Sequence, residues 1–143
     1  MAECKEHKLI ADTLLISKGK VLLVKYKDTS RFDNQKGWFI PDDSLNEFEH
    51  PEAGAKRILR EQTGAKAPKV TLGFIESIGH GTWHMIFHYY LEVARPPAIR
   101  LGKNVAQAKW FDLGKLPAAA EFSHHGWGRG VIAQIQKQRK SAK

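Results

Sequence analysis

The sequence holds one cysteine, Cys4, and no second thiol to pair with it. That excludes an internal disulfide and a cysteine-based zinc site. Acidic residues are also scarce: 15 Asp and Glu stand against 23 Lys and Arg, a formal charge of +8. No apolar run approaches the ~20 residues that a membrane-spanning helix needs. The first residues, MAECKEHK, lack the apolar core of a signal peptide. There is no Pro/Gly/Ser-rich linker and no long internal repeat. These absences lead to the expectation of a cytoplasmic chain without a membrane partner. What is present is ordinary for a globular protein: 143 residues, 42% hydrophobic and 27% charged, read as one domain over residues 1–143. Residues 136–143 read as a basic C-terminal tail carrying Lys137, Arg139, Lys140 and Lys143, solvated and mobile. The excess of positive charge attracts polyanions, nucleotides and RNA included. No RNA-binding motif accompanies it, so charge alone leaves nucleic acid as one open partner class.

Periodicity and turn residues place the elements. Lys8 to Ile16 and Val21 to Tyr26 are apolar runs joined by Ser17-Lys18-Gly19-Lys20, the pattern of a hairpin. Trp38 to Ile40 reads as a short strand. Pro51 to Thr63 reads as a helix, with proline in its first turn and Gly64 at its end. Gly54 lies inside that helix at some cost, which close packing against a strand would explain. Val70 to Ile78 and Trp83 to Val93 form a second hairpin around Gly79-His80-Gly81, and Ala106 to Phe111 a further strand. A last helix over Trp127 to Arg139 carries Trp127, Val131, Ile132 and Ile135 on one apolar stripe.

The segment Gly37 to Ala65, GWFIPDDSLNEFEHPEAGAKRILREQTGA, resembles the signature box of the Nudix hydrolases, G-x5-E-x7-R-E-U-x-E-E-x-G-U. Arg57 and Gly64 set the alignment over residues 43–65, and Glu49 falls at the first acidic position. The box is degenerate. Ile58 stands where the family has an acid after its arginine, the final glutamate pair is Glu61-Gln62, and the usual Pro-Gly-Gly turn is Pro41-Asp42-Asp43. KGKVLLVKY resembles the family's early strand and AKWFDLGKLP its late strand and turn. The resemblance implies an α/β fold, an α/β/α sandwich with a mixed sheet between helices. It implies cleavage of nucleoside diphosphate derivatives with magnesium or manganese when the member is active, and no metal when it is not.

Positions 57, 58, 61 and 62 lie at helical neighbour spacing and share one face. Hard divalent ions take oxygen ligands, and a single carboxylate plus an amide makes a poor site. Ile58 is expected to face that site and leave it short of acid. Restoring Glu at 58 and 62 is then expected to produce stabilisation by manganese. The catalytic candidates are Glu61 and Arg57, and the metal candidates are Glu49, Glu61, Asp42 and Asp43. For the two aspartates, a drifted turn competes with relocated ligands. A salt-bridged helix face without catalysis stands ahead of intact catalysis as the reading of Glu49, Arg57 and Glu61.

On the strand Trp83 to Val93, odd residues share one face, while His84, Ile86, His88 and Tyr90 share the other. His84 and His88 are too far apart along a strand for one ion, which points to hydrogen-bonding roles. The glycine-rich segment Phe122 to Gly130 offers His124, His125, Trp127 and Arg129 as substrate-binding candidates, against the reading of a loop capping the last helix. Together these features describe a degenerate Nudix protein that keeps a cleft for nucleotide or pyrophosphate-like ligands, with weak or lost hydrolysis. Two alternatives stand beside it: an active hydrolase with unconventional ligands, and a nucleotide-sensing or nucleic-acid-associated binding module.

Overall fold

Residues at alternating positions of β1 (His7–Ser17) feed two different layers, so this strand is buried on both faces from Ala11 onward. The structure, a computed structural model, describes Glu3 and residues 6–141. Cys4 and Lys143 lie outside the described residues. Beside β1 runs β2 (Lys20–Tyr26), and the turn between them uses two left-handed residues, Lys18 and Gly19, as a tight hairpin requires. The hairpin pairs only at its closed end, Ile16 with Val21 and Ser17 with Lys20. Beyond that the strands splay apart, and residues 38–44 fill the gap.

The filling segment differs from the expected strand at Trp38 to Ile40. Phe39 bridges Val24 and Trp38 bridges Phe122, but neither extends into a ladder. Pro41 has no N–H to donate, and the regular strand starts only after it, as β3 (Asp42–Ser44), antiparallel to Ile10–Asp12 of β1. On its other side β1 runs parallel to β5 (Thr82–Val93) over the whole length, His7 opposite Trp83 to Ser17 opposite Val93. β4 (Thr71–His80) forms the antiparallel hairpin with β5, and β6 (Val105–Asp112) pairs with β2. The mixed sheet has the order β4-β5-β1-β2-β6, with β3 added to β1.

A helix covers each face. α1 (Pro51–Thr63) starts at His50, whose ring Nδ1 accepts from the Glu52 amide, and ends at Gly64 in the left-handed conformation. It buries Ala55 and Ile58 against Ala11, Val70 and Tyr89, and Leu59 against Leu15 and Leu22. A Cβ on Gly54 would lie 2.2 Å from Leu45 and 2.9 Å from Glu49. The glycine therefore lets the loop before the helix approach, and a strand plays no part in it. α2 (Trp127–Ser141) follows two short 3-10 turns at Ala119–Glu121 and Ser123–Gly126. It lays Val131, Ile132 and Ile135 on Leu14, Ile16 and Leu23. Over its described part, 136–141, the basic tail is helical although mostly exposed. Gln136 to Ser141 continue α2, and Arg139 pairs with Glu92 of β5. No described helix is long and apolar enough to cross a membrane.

Candidate functional site

Arg57 organises the loop ahead of α1. Its guanidinium meets both oxygens of Glu49, Nε to Oε2 at 2.8 Å and Nη2 to Oε1 at 2.9 Å. Nη2 also donates to the Ser44 carbonyl at 3.2 Å, and Nη1 reaches Glu61, one turn along, at 3.3 Å. Glu49 Oε1 accepts from the Asn46 amide as well, at 3.0 Å. Hydrogen bonds from Arg57 hold the Glu49 carboxyl below its usual range, although partial burial pushes the other way. The candidates Glu49, Arg57 and Glu61 thus come together as one bonded unit that joins the end of β3 to the helix.

Glu61 lies at the rim of a cavity of about 340 Å³, together with Tyr26, Arg31, Asp43, Gln62 and Lys103. A second cavity, of about 270 Å³, sits on the α2 face of the sheet. Its floor is Ile10, Ile78 and Ile86, and Asp42, His124 and Trp127 stand around it. A narrow space shares Arg31 and Asp43 with the first cavity, and Asp42, His84 and His124 with the second. The three run together as one groove, from the C-terminal half of α1 to the start of α2. It lies where β3 diverges from β2, which is why the splay of the first hairpin matters.

The two aspartates face different surroundings along the groove. Asp43 pairs with Arg31 at 2.9 Å and caps the Ser44 amide at 2.8 Å. Asp42 is buried opposite Asp12, and burial pushes its carboxyl well above the usual range, with the Asp12 and Asp43 carboxylates adding to the effect. Of the residues proposed around the last helix, Trp127 and His124 line the groove. His125 lines an open depression that shares His124 and Trp127 with the second cavity, and Arg129 is exposed on α2 and lines none of these cavities. Gly126 and Gly128 have packing reasons, because a Cβ there would meet Ala119 at 2.8 Å and Phe122 at 2.9 Å.

The family model of the NUDIX domain matches residues 7–134. The chain belongs to the NUDIX family. Solved structures agree on the fold. A MutT NUDIX hydrolase from Burkholderia pseudomallei superimposes with a TM-score of 0.76 at 19% identity, covering 92% of this chain and 99% of that one. The NUDIX domain of Shewanella oneidensis NrtR, complexed with ADP ribose, gives 0.73 at 19% identity, over 94% and 90% of the two chains. A C. elegans Ap4A hydrolase gives 0.71 at 14% identity, over 94% and 98%. No curated protein matches the sequence.

NUDIX hydrolases generally use a divalent metal, which needs several oxygen ligands converging from the box. Ile58 does not face the groove as its alignment implied. It is 1% exposed and packs with Ala11, Ala55, Val70 and Tyr89, because an isoleucine on that turn is more stable against the sheet than in water. Gln62 is nearly buried and fully engaged. Its Oε1 accepts from the Tyr26 hydroxyl at 2.8 Å, and its Nε2 donates to the Asp42 carbonyl at 2.8 Å. Glu61 is tied to Arg57. Among the described residues no three His, Cys, Asp or Glu side chains converge to hold an ion. This donor set does not fit a multi-metal carboxylate site.

Asp12 and Glu76, which sequence reasoning missed, form a largely buried ionic array behind the groove with His88, whose hydrogen-bonding role was expected. His88 Nδ1 lies 2.8 Å from Asp12, and Nε2 lies 2.8 Å from Glu76. The Trp127 indole N–H donates to Glu76 at 3.2 Å, tying α2 to β4. Burial alone would lower the His88 pKa, but the two carboxylates outweigh it and push it up to about 9. The imidazolium is therefore the stable form at neutral pH. A signal was present in the sequence: Asp12 and His88 each interrupt a strongly apolar strand, and a lone ionisable group there needs a buried partner.

Proposed function

We propose that this NUDIX protein binds a nucleotide or a related phosphate-bearing molecule along the groove, and hydrolyses it weakly or not at all. The observation that carries this reading is the pairing of an intact groove with a spent box. The groove offers Arg31 and Lys103 to anionic oxygens at one end and an apolar slot beside Trp127 at the other. Pyrophosphate hydrolysis needs neutralisation of developing charge and an activated water, which metal ions supply when several carboxylates hold them. Here Ile58 is in the core, Gln62 is an amide with both ends bonded, and Arg57 binds Glu49 and Glu61. His124 and Trp127 serve the ligand. Glu49, Arg57 and Glu61 serve the loop that shapes the groove. The similar structures named for ADP ribose and Ap4A support a nucleotide-derivative class.

The experiment is a thermal melt of the intact protein with ADP-ribose, diadenosine tetraphosphate, nucleotide sugars and free nucleotides, with and without manganese. A parallel assay reads phosphate-bond cleavage. At least one ligand should raise the melting temperature, because a ligand that binds only the folded state stabilises it. Cleavage should stay near background. Robust turnover abolished by EDTA and by Glu61→Ala would establish the active hydrolase instead, with Asp42 and Asp43 the next ligands to test. If no small ligand shifts the melt but RNA or DNA binds with a steep salt dependence, the binding-module reading replaces this one.

A further inference from the structure

α1 covers only part of its side of the sheet. It packs over Ala11 and Tyr89, and beyond them the face built from the β4–β5 hairpin and the start of β1 is bare among the described residues. The register places Leu9, Leu72, Ile75 and Trp83 on that face, where they are 41%, 43%, 48% and 44% exposed. Half-buried Met85 and Phe87 lie between them. Leu9 stands opposite Met85, and Ile75 opposite Phe87, so these side chains form one connected surface. β4 is an edge of the sheet, and no further strand overhangs it.

Single exposed apolar residues are ordinary, but a contiguous set marks a contact. At ~200 Å² for a large side chain, the four exposed fractions leave roughly 350 Å² of apolar surface. Two such faces, with Met85, Phe87 and their rims, bury on the order of 1,000 Å², the size at which a specific interface holds. The polar atom of the indole is already met, because Trp83 Nε1 donates to Ser77 Oγ at 2.8 Å. Water can leave this surface without orphaning it.

Charge and shape select the occupant. Residues 70–94 contain no Lys or Arg, although the chain has 23 of them and a charge of +8. The two carboxylates of that stretch, Glu76 and Glu92, are taken by His88 and Arg139. Basic side chains hold nucleic acids and anionic membranes, and this face offers none. Two copies of a strongly basic chain repel each other elsewhere, and this uncharged face is where they approach at least cost. None of the cavities described above is lined by Leu9, Leu72, Ile75 or Trp83, so the face lacks the groove that a helical peptide needs. A flat sheet face packs instead on another flat sheet face, about 10 Å away.

We propose that this face is the contact between two copies of the chain, packed sheet to sheet about a twofold axis, with Ile75 and Trp83 of each copy at its centre. The slot beside Trp127 is on the opposite face of the sheet and stays open in both copies. The proposal is therefore independent of the nucleotide-binding reading.

The test is sedimentation equilibrium of the intact protein across about 1–500 μM, a range that brackets ordinary dimer affinities. The parent should reach twice the chain mass. Ile75→Lys should weaken dimerisation at least about a hundredfold, because each dimer then loses two buried isoleucines and must bury two ammonium groups. The monomer should tolerate that change, since the site is half exposed and lysine guards edge strands well. A parent that stays monomeric throughout overturns the proposal, and the face then belongs to a different protein. An Ile75→Lys variant that folds and dimerises as tightly as the parent also overturns it. If the variant does not fold, radical footprinting of the parent decides. Labelling of Trp83 relative to Phe48 should fall to less than about half between the lowest and highest concentrations, because the centre of an interface excludes water. Unchanged labelling of Trp83 in a dimeric sample means that the copies meet elsewhere, and it overturns the proposal.

Discussion

Replacing Ile58 by glutamate returns to α1 the acid that the NUDIX pattern carries after its arginine. The alignment alone predicts a gain in manganese binding. The structure predicts damage to the core. Ile58 is 1% exposed beneath the helix, so removing its side chain forfeits about 1.5–3 kcal/mol of apolar burial. The new carboxyl must then stay neutral at that depth. Holding a glutamate protonated at neutral pH, against an ordinary pKa of about 4.3, costs about 4 kcal/mol at 1.36 kcal/mol per unit. The expected loss is therefore about 6 kcal/mol, comparable with the whole stability of many domains. At roughly 3 °C per kcal/mol for a chain of this size, the melting temperature should fall by about 15–20 °C. Gln62→Glu should add to the loss, because an ionised carboxylate cannot donate to the Asp42 carbonyl as the amide does. The assay is a thermal melt of the parent, Ile58→Glu and the double variant, with and without manganese. A double variant that melts within a few degrees of the parent and is stabilised selectively by manganese would refute the placement of Ile58 in the core.

Two further outcomes follow from the geometry. The His88 pKa is raised in the folded state, so its ionic bonds to Asp12 and Glu76 contribute fully below the unfolded value of about 6.5 and are lost as pH rises through about 9. Chemical denaturation should show stability falling across that window, and His88→Gln, though destabilised, should lose the slope. Phe48 is 98% exposed and holds a left-handed φ of 65°, so Phe48→Gly should relieve about 1 kcal/mol of backbone strain in the loop before α1, offset in part by glycine's greater freedom when unfolded. Denaturant midpoints read it, and a clear drop would show that the loop depends on the ring.

Local physics made much of this protein legible from sequence. Pro51 and Gly64 bound α1 because a first-turn proline needs no hydrogen-bond donor and a terminal glycine tolerates positive φ. The strands of both hairpins and the apolar stripe of α2 follow from periodicity, which each segment carries by itself. So does the pairing of Arg57 with Glu61, one helical turn apart, whereas Glu49 joined them through the resemblance of the box. Periodicity says that a residue shares a face with its neighbours. It does not say whether that face meets the groove or the sheet, which is why Ile58 was placed wrongly and only packing against Ala11 and Tyr89 decided it. The Trp38 to Ile40 strand failed for a similar reason, since the splay of β1 from β2 chose which residues could pair. The contacts that shape the groove and back it join residues far apart in the chain: Tyr26 with Gln62 and His124 with Asp33 along it, His88 with Asp12 behind it. Tertiary structure alone brings such pairs together, because burial makes each polar group find whichever partner the folded sheet sets beside it.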